Sequence, residues 1–526
     1  MSRHAGVMVP LFSAASAAGW GAGELPDVVP LAKWLGAAGF DRLMLLPVGL
    51  VSHGETSPYS ATSAMGIDPI YIALERVPEF PRAGGVEALS SSARQSIERA
   101  RSAKEVRYVD IRAAKDEALA IAFEQFVGEE WLQLTTRAAE LAGYISRERW
   151  WLDDLALYQA IAKAQSWTSW RRWPAPLRDR EPAAIDEARR ALSRQILEQQ
   201  YRQWIAESQW QQARREAHAA GVTIFGDLPF MVAEGSADVW VRPEEFLLDV
   251  SLGVPPDAFS ATGQDWGMPT YRWDRIHASG FAWIRQRARR MAALYDGFRV
   301  DHLVGLYRTY GKPPIGDPFF NPHDERTQIW QGEAVLQLLA EPGAAIIAED
   351  LGVIPDFVRV SLDRLGVPGC KVLRWERSWH AEGQPFIDPR TYPSRSAAMT
   401  GTHDTETLAG WWTTAPADER QALCALLAHT GAGAFDPGAA WSPPLHGAIL
   451  TVMFQSASDD LFLPMQDVFG WTDRINIPAT VGDHNWTWKL PWPVDRLADV
   501  DVARIVQNGC RALSLQGQRA EGKGQR

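Results

Sequence analysis

Short apolar runs bounded by glycine or proline recur along the chain, and most end in a polar or acidic residue. They are Phe40 to Pro47, Val222 to Asp227, Gly297 to His302, Ala345 to Asp350, Lys371 to Trp375, Ala397 to Asp404 and Leu461 to Asp467. Unbroken apolar runs of this length suit parallel strands buried on both faces. Helical periodicity fills the gaps, at Leu31 to Ala38, Trp283 to Ala293, Gly332 to Ala340, Ile354 to Leu365 and Asp418 to His429. The alternation predicts βαβ units and a parallel sheet. Carboxylates recurring where strands end narrow this to a TIM (β/α)8 barrel, whose active sites form at the C-terminal face from the ends of different strands. A doubly wound sheet would carry a glycine-rich phosphate turn after its first strand, and no such turn is present.

From about 64 to 221 the alternation gives way to long stretches rich in Ala, Gln, Glu and Arg, which are good helix formers. This segment reads as a helical insertion on the barrel. Residues 1–515 are taken as a single catalytic barrel that also carries a lid loop at about 253–273 and an insertion at about 306–340. The polar, glycine-bearing 516–526 reads as a disordered tail.

Composition removes several classes of function. The 64 acidic and 53 basic residues leave a net charge of −11, the wrong sign for a chain that binds phosphate backbones, so no nucleic acid partner is expected. The three cysteines, Cys370, Cys424 and Cys510, have no paired spacing for a zinc site or a disulfide framework and fit a reducing compartment. Ala5 to Gly23 is uncharged and superficially signal-like, but Pro10, Ser13, Ser16 and three glycines make it a strand-to-loop transition instead. No stretch approaches the roughly 20 apolar residues that span a bilayer, and a cytoplasmic protein without a membrane partner is expected. The 24 tryptophans outnumber 19 phenylalanines and 11 tyrosines, which signals either an indole-rich core or a surface on which flat molecules stack.

Four strand ends supply acids: Asp227, Asp301, Glu349 and Asp404. Arg299 shares a strand face with Asp301, where its guanidinium would hold that carboxyl ionised as a nucleophile requires. Glu349, flanked by apolar residues in AIIAEDLG, would keep a proton and suit a general acid. Retaining glycoside cleavage needs this pair about 5 Å apart, a spacing that neighbouring barrel strands supply. Asp404, preceded by His403, would bind sugar hydroxyls and help distort the ring. A barrel holding magnesium on three carboxylates is the competing chemistry, but it calls for a lysine or histidine base and further acidic ligands that do not stand out, so no metal or organic cofactor is expected.

Aromatic residues cluster near these acids. The segment Gly253 to Trp273 carries Phe259, Trp266, Tyr271 and Trp273 beside Asp257, Gln264 and Asp265. Sugar C–H faces pack on rings while amides and carboxylates bind hydroxyls, so the segment reads as a lid over a sugar cleft. Tyr59, in SPY, and Trp20 are assigned to the same rim, whereas most of Trp150, Trp151, Trp167, Trp170, Trp173, Trp204 and Trp210, in the helical insertion, are assigned to packing.

Motifs along nearly the whole chain resemble the amylomaltases, the 4-α-glucanotransferases or disproportionating enzymes of the α-amylase superfamily. They include VPLFSAASAAGWGAGELPD, SPYSATSAMGIDPIYI, GVTIFGDLPF, GVPPDAFSATGQDWGMPTYRW, YDGFRVDH, IIAEDLGV, TGTHDTET and RINIPATVGDHNWTWKL. The resemblance implies a barrel enzyme that transfers α-1,4-glucan segments between maltooligosaccharides, with retention and through a covalent glycosyl-enzyme. It implies Asp301 as nucleophile, Glu349 as general acid/base and Asp404 as transition-state stabiliser. Tyr59, Asp227, Arg299 and His403 would contact the sugar at the cleaved bond, and Gln264 and Trp266 would lie over the acceptor side. The chain departs from the family pattern at Val304, Ala258, Met268, Thr405, Glu406, Ala479, Thr487 and Trp488. These departures bear on the choice of acceptor. A hydrolase using the same carboxylates with water as acceptor, and a glucan-binding protein without catalysis, are the alternatives that sequence leaves open.

Overall fold

The apolar runs fold as strands because their β-branched and aromatic residues pack on both faces of a pleated surface. The structure, a computed structural model, describes residues 3–256, 263–478 and 480–524, with side chains described through 514. In chain order the strands are β1 (His4–Met8), β2 (Arg42–Met44), β3 (Thr223–Leu228), β4 (Phe246–Val254), β5 (Gln264–Tyr271), β6 (Gly297–Val300), β7 (Thr309–Lys312), β8 (Phe319–Asn321), β9 (Ala345–Ala348), β10 (Gly369–Val372), β11 (Ser396–Met399) and β12 (Asp460–Pro464). Eight of them close a parallel barrel in the order β1-β12-β11-β10-β9-β6-β3-β2. The seven runs predicted as strands supply seven barrel strands, and the start of the signal-like N-terminus supplies the eighth.

The barrel is plugged at its base. The rings of Phe225 and Phe462 lie 5.6 Å apart across it, and Arg42 ion-pairs with Asp460 beneath them. Glycines on neighbouring strands make room for the rings: a Cβ at Gly6 would come within 2.6 Å of Phe462, and one at Gly297 within 2.4 Å of Phe225. With its base filled, the barrel offers its C-terminal rim as the place for a cleft.

Between β2 and β3 the chain carries a layer of helices, including Tyr108–Phe126, Thr136–Ala164 and Ser193–Ala219. The last of these packs on Thr136–Ala164 and on the barrel helix Val28–Ala37. Trp210 anchors it to the barrel through an Nε1–H bond to the Leu294 carbonyl, 2.9 Å. Trp151, Trp170, Trp173, Trp204 and Trp210 are buried packing residues. Trp167 is not, being 41% exposed and stacked on His53 at 4.9 Å.

Two regions differ from the sequence reading. The expected lid and the expected 306–340 insertion join in one antiparallel sheet of order β5-β4-β7-β8. Gly253, Gly263, Gly267 and Pro269 break the alternation of polar and apolar residues there, and register shifts between β4 and β5 absorb them, which hides the strands. At the other end of the chain a helix runs through Asp501–Gly524, across most of the expected tail. Gln, Arg, Ala, Glu and Lys favour helix and outweigh its glycines. No helix among the described residues is long and apolar enough to cross a membrane.

Candidate active site

Three acids reach the rim from adjacent strands: Asp227 within β3, Asp301 one residue past β6 and Glu349 one residue past β9. Register carries them there. Arg299 pairs with Asp227 on one side and with Ile347 on the other, so Asp301 follows opposite Glu349. Adjacent strands stand about 4.7–4.9 Å apart, close to the roughly 5–5.5 Å that separates a retaining carboxyl pair.

Arg299 joins these acids. Its Nε and Nη2 donate to Asp227 Oδ2 at 3.0 and 2.8 Å. Nη2 also donates to Asp301 Oδ1 at 2.9 Å, and Nη1 lies 2.9 Å from Glu349 Oε1. The Arg299 side chain is 2% exposed and that of Asp227 1%, whereas Asp301 and Glu349 are 25% and 22% exposed toward the rim. The guanidinium thus lies beneath the two exposed carboxyls. Glu349 Oε2 accepts the backbone N–H of His302 at 2.6 Å, so this acid is held by one backbone donor and the Arg299 ion pair rather than by the apolar walls its sequence neighbours suggest.

The electrostatics of Asp301 reverse the sequence-based expectation. Burial raises its pKa well above the ordinary carboxylate value, the nearby Glu349 adds to the rise, and Arg299 opposes it without prevailing. One guanidinium shared among several carboxyls does not offset both the burial of Asp301 and the charge of Glu349.

Asp404 lies five residues past β11, in a loop held by distant groups. Asn476 Nδ2 donates to its Oδ1 at 2.6 Å, His403 Nε2 lies 3.3 Å from its Oδ2, and Arg474 Nη2 donates to its carbonyl at 2.9 Å. Burial alone would raise this carboxyl, but His403, Asn476 and Arg299 together bring it far below the usual range. Tyr59 links the two halves of the site: its hydroxyl donates to Asp227 Oδ2 at 2.8 Å, and its ring stacks on His403 at 5.1 Å and 20°. Trp486 closes this aromatic group, 5.6 Å from Tyr59 and 5.8 Å from His403.

Of the residues singled out in the sequence, Tyr59, Asp227, Arg299, Asp301, Glu349, His403 and Asp404 therefore converge. Gln264 and Trp266 flank them from β5. Trp266 donates through Nε1 to Gln264 Oε1 at 3.0 Å, and its ring meets the His302 ring at 4.8 Å. Asp257 and Phe259 lie outside the described residues. Trp20 does not reach the rim: it is fully buried, bonded to Glu75 at 2.8 Å and packed on Phe80. Asn476, Arg474, Trp486 and His302 complete the geometry without having been assigned roles from sequence. Three of them lie in the RINIPATVGDHNW segment and the fourth directly follows Asp301, so motif position was the available signal.

A closed parallel barrel with two exposed carboxyls on adjacent strands, a third facing them and aromatic rings alongside defines a carbohydrate-active barrel enzyme. Sequence comparison makes this specific. The profile of the 4-alpha-glucanotransferase family matches residues 9–495. The 4-alpha-glucanotransferase of Thermus thermophilus is 36% identical over 471 residues, covering 87% of this chain and 89% of the relative. That of Synechocystis sp. is 32% identical over 484 residues, covering 89% and 90%. The chain belongs to the 4-alpha-glucanotransferase family, enzymes of the glycosyltransferase type. Its fold is that of two solved structures, each 24% identical. An amylomaltase from Streptococcus agalactiae in complex with acarbose has a TM-score of 0.82, covering 98% of this chain and 99% of that one. The amylomaltase from Corynebacterium glutamicum has a TM-score of 0.80, covering 97% and 75%.

Proposed function

We propose that the protein transfers α-1,4-glucan segments from one maltooligosaccharide or linear glucan to another by double displacement with retention. Asp301 attacks the anomeric carbon as a carboxylate while Glu349 gives a proton to the departing glycosidic oxygen. The bond to the leaving glucan breaks as the Asp301 ester forms. In the second half Glu349, now a carboxylate, takes the proton of an acceptor sugar hydroxyl. That oxygen displaces Asp301 and restores the original configuration. Asp404, held ionised, faces the positive charge that develops on the sugar ring. Tyr59, Asp227, Arg299 and His403 hold the sugar at the cleaved bond, with Gln264 and Trp266 on the acceptor side.

The observation that carries this reading is the placement of Asp301 and Glu349 on adjacent strands against one buried guanidinium. The first step needs one proton in this pair, carried by Glu349 while Asp301 attacks ionised. Incubation with maltotriose alone tests the activity: glucose and longer oligomers should appear while total reducing ends stay nearly constant. Rising reducing ends would instead mean that water is the acceptor, and an unchanged substrate would mean binding without catalysis. Asp301→Ala should abolish turnover, and substantial residual activity would refute its role as nucleophile.

A further inference from the structure

Glu349 has two carboxyl oxygens, and both face donors. Oε1 lies 2.9 Å from Arg299 Nη1, and Oε2 accepts the His302 N–H at 2.6 Å. In the reaction proposed above, Glu349 alternates between acid and carboxylate. The His302 contact is a hydrogen bond and occupies Oε2, the oxygen that would otherwise be free to carry and deliver a proton. Opening one contact therefore frees an oxygen for the leaving group. Arg299 cannot supply that movement, because it is buried and bonded twice to Asp227 and once to Asp301. His302 can.

Three features of His302 bear on this. Its backbone is left-handed, with φ at +44°, a region sparsely used by residues other than glycine and maintained only by surrounding contacts. Its ring packs between Phe230 at 5.0 Å and Trp266 at 4.8 Å, the latter nearly edge-on at 81°. Desolvation lowers the ring's pKa to about 4, so it packs as a neutral imidazole near neutral pH. Trp266 in turn lies on β5, an edge strand of the second sheet and the element assigned to the acceptor side.

We propose that His302 is a positioning residue that moves Glu349 between its two proton states. With the ring seated on Trp266, the backbone N–H holds Oε2 and Glu349 stays ready to accept a proton. When a glucan bearing on Trp266 shifts the ring, the N–H turns away and Oε2 is free to carry a proton to the leaving oxygen. This rests on the assignment of Glu349 as acid/base given above.

Donors with different leaving groups test it. Fluoride departs from α-maltosyl fluoride without a proton, whereas the glucan leaving maltotriose needs one. His302→Asn keeps a side chain that tolerates left-handed backbone and removes the ring. It should lower kcat on maltotriose by about tenfold or more while fluoride release stays within about twofold of the parent enzyme. Trp266→Ala should lower kcat on maltotriose at least as far, and the double variant should lose no more on maltotriose than Trp266→Ala alone. Equal losses on both donors would show a merely structural ring and overturn the proposal, as would an unchanged rate on maltotriose or additive losses in the double variant. Failure of the underlying reading would be visible separately, as a parent enzyme that does not disproportionate maltotriose or an Asp301→Ala variant that still turns over.

Discussion

Arg299 reaches three carboxylates at once because its guanidinium is planar and forked, a geometry a lysine ammonium cannot reproduce. The consequence falls on Asp301. Burial and the charge of Glu349 raise that carboxyl, so in the pH interval between the ordinary carboxylate value and the raised one the folded protein retains a proton there that the unfolded chain has released. Stability contributed by this group is therefore present at low pH and declines as pH rises from the ordinary carboxylate value toward the raised one. Asp301→Asn removes the titration while keeping the shape. It should raise the melting temperature near neutral pH, lose that advantage below the ordinary carboxylate range, and leave no turnover. Melting curves across pH check the sign, and a lower melting temperature for the variant at neutral pH would contradict it. The acids themselves were legible in the sequence because each ends an apolar run. The raised Asp301 carboxyl was not, since it depends on burial in the folded barrel and on the charge of Glu349 on the neighbouring strand.

At the scale of elements, one buried lysine holds the helical insertion to the barrel's N-terminal loop. Lys115, in helix Tyr108–Phe126, donates to Glu24 Oε1 at 2.7 Å and to the carbonyls of Ile70 and Ile72 at 2.6 and 2.8 Å. Both charged side chains are nearly inaccessible, at 3% and 5% exposure. Burial pushes Glu24 up to about 7 even with Lys115 opposing the rise. Lys115→Ala leaves that carboxyl without its partner and should cost about 3–5 kcal/mol in denaturant titrations. The loss should be larger above neutrality than below it, because only the ionised Glu24 suffers. Changing Glu24 to Ala in the same chain should recover part of it. The helices of this insertion were legible from composition, but their attachment was not: Glu24 and Lys115 are far apart in the chain and neither has a periodic signal. Strands β4 and β5 were missed for a different reason. Their bulges and glycines break the alternation of polar and apolar positions that marks a strand.

At the scale of the whole molecule, the two sheets divide the work under the proposed mechanism. The closed barrel presents Asp227, Asp301, Glu349 and Asp404, while the four-stranded sheet brings Gln264 and Trp266 over the side from which an acceptor enters. The motif departures at Met268 and Val304 lie in that sheet or at its approach, and those at Thr405 and Glu406 follow Asp404 without replacing any of the four acids. Whether the glycosyl-enzyme passes its segment to a sugar or to water then depends on how well Trp266 excludes solvent from the ester on Asp301. Trp266→Ala opens that side. Total turnover should fall, and the share of cleavage events that release new reducing ends should rise by at least a few fold, because water needs no aromatic surface to bind and a sugar acceptor does. Reducing-end assays run alongside oligomer profiles separate the two quantities. A variant that is slower but keeps the parent ratio of transfer to hydrolysis would mean that the second sheet assists cleavage without choosing the acceptor.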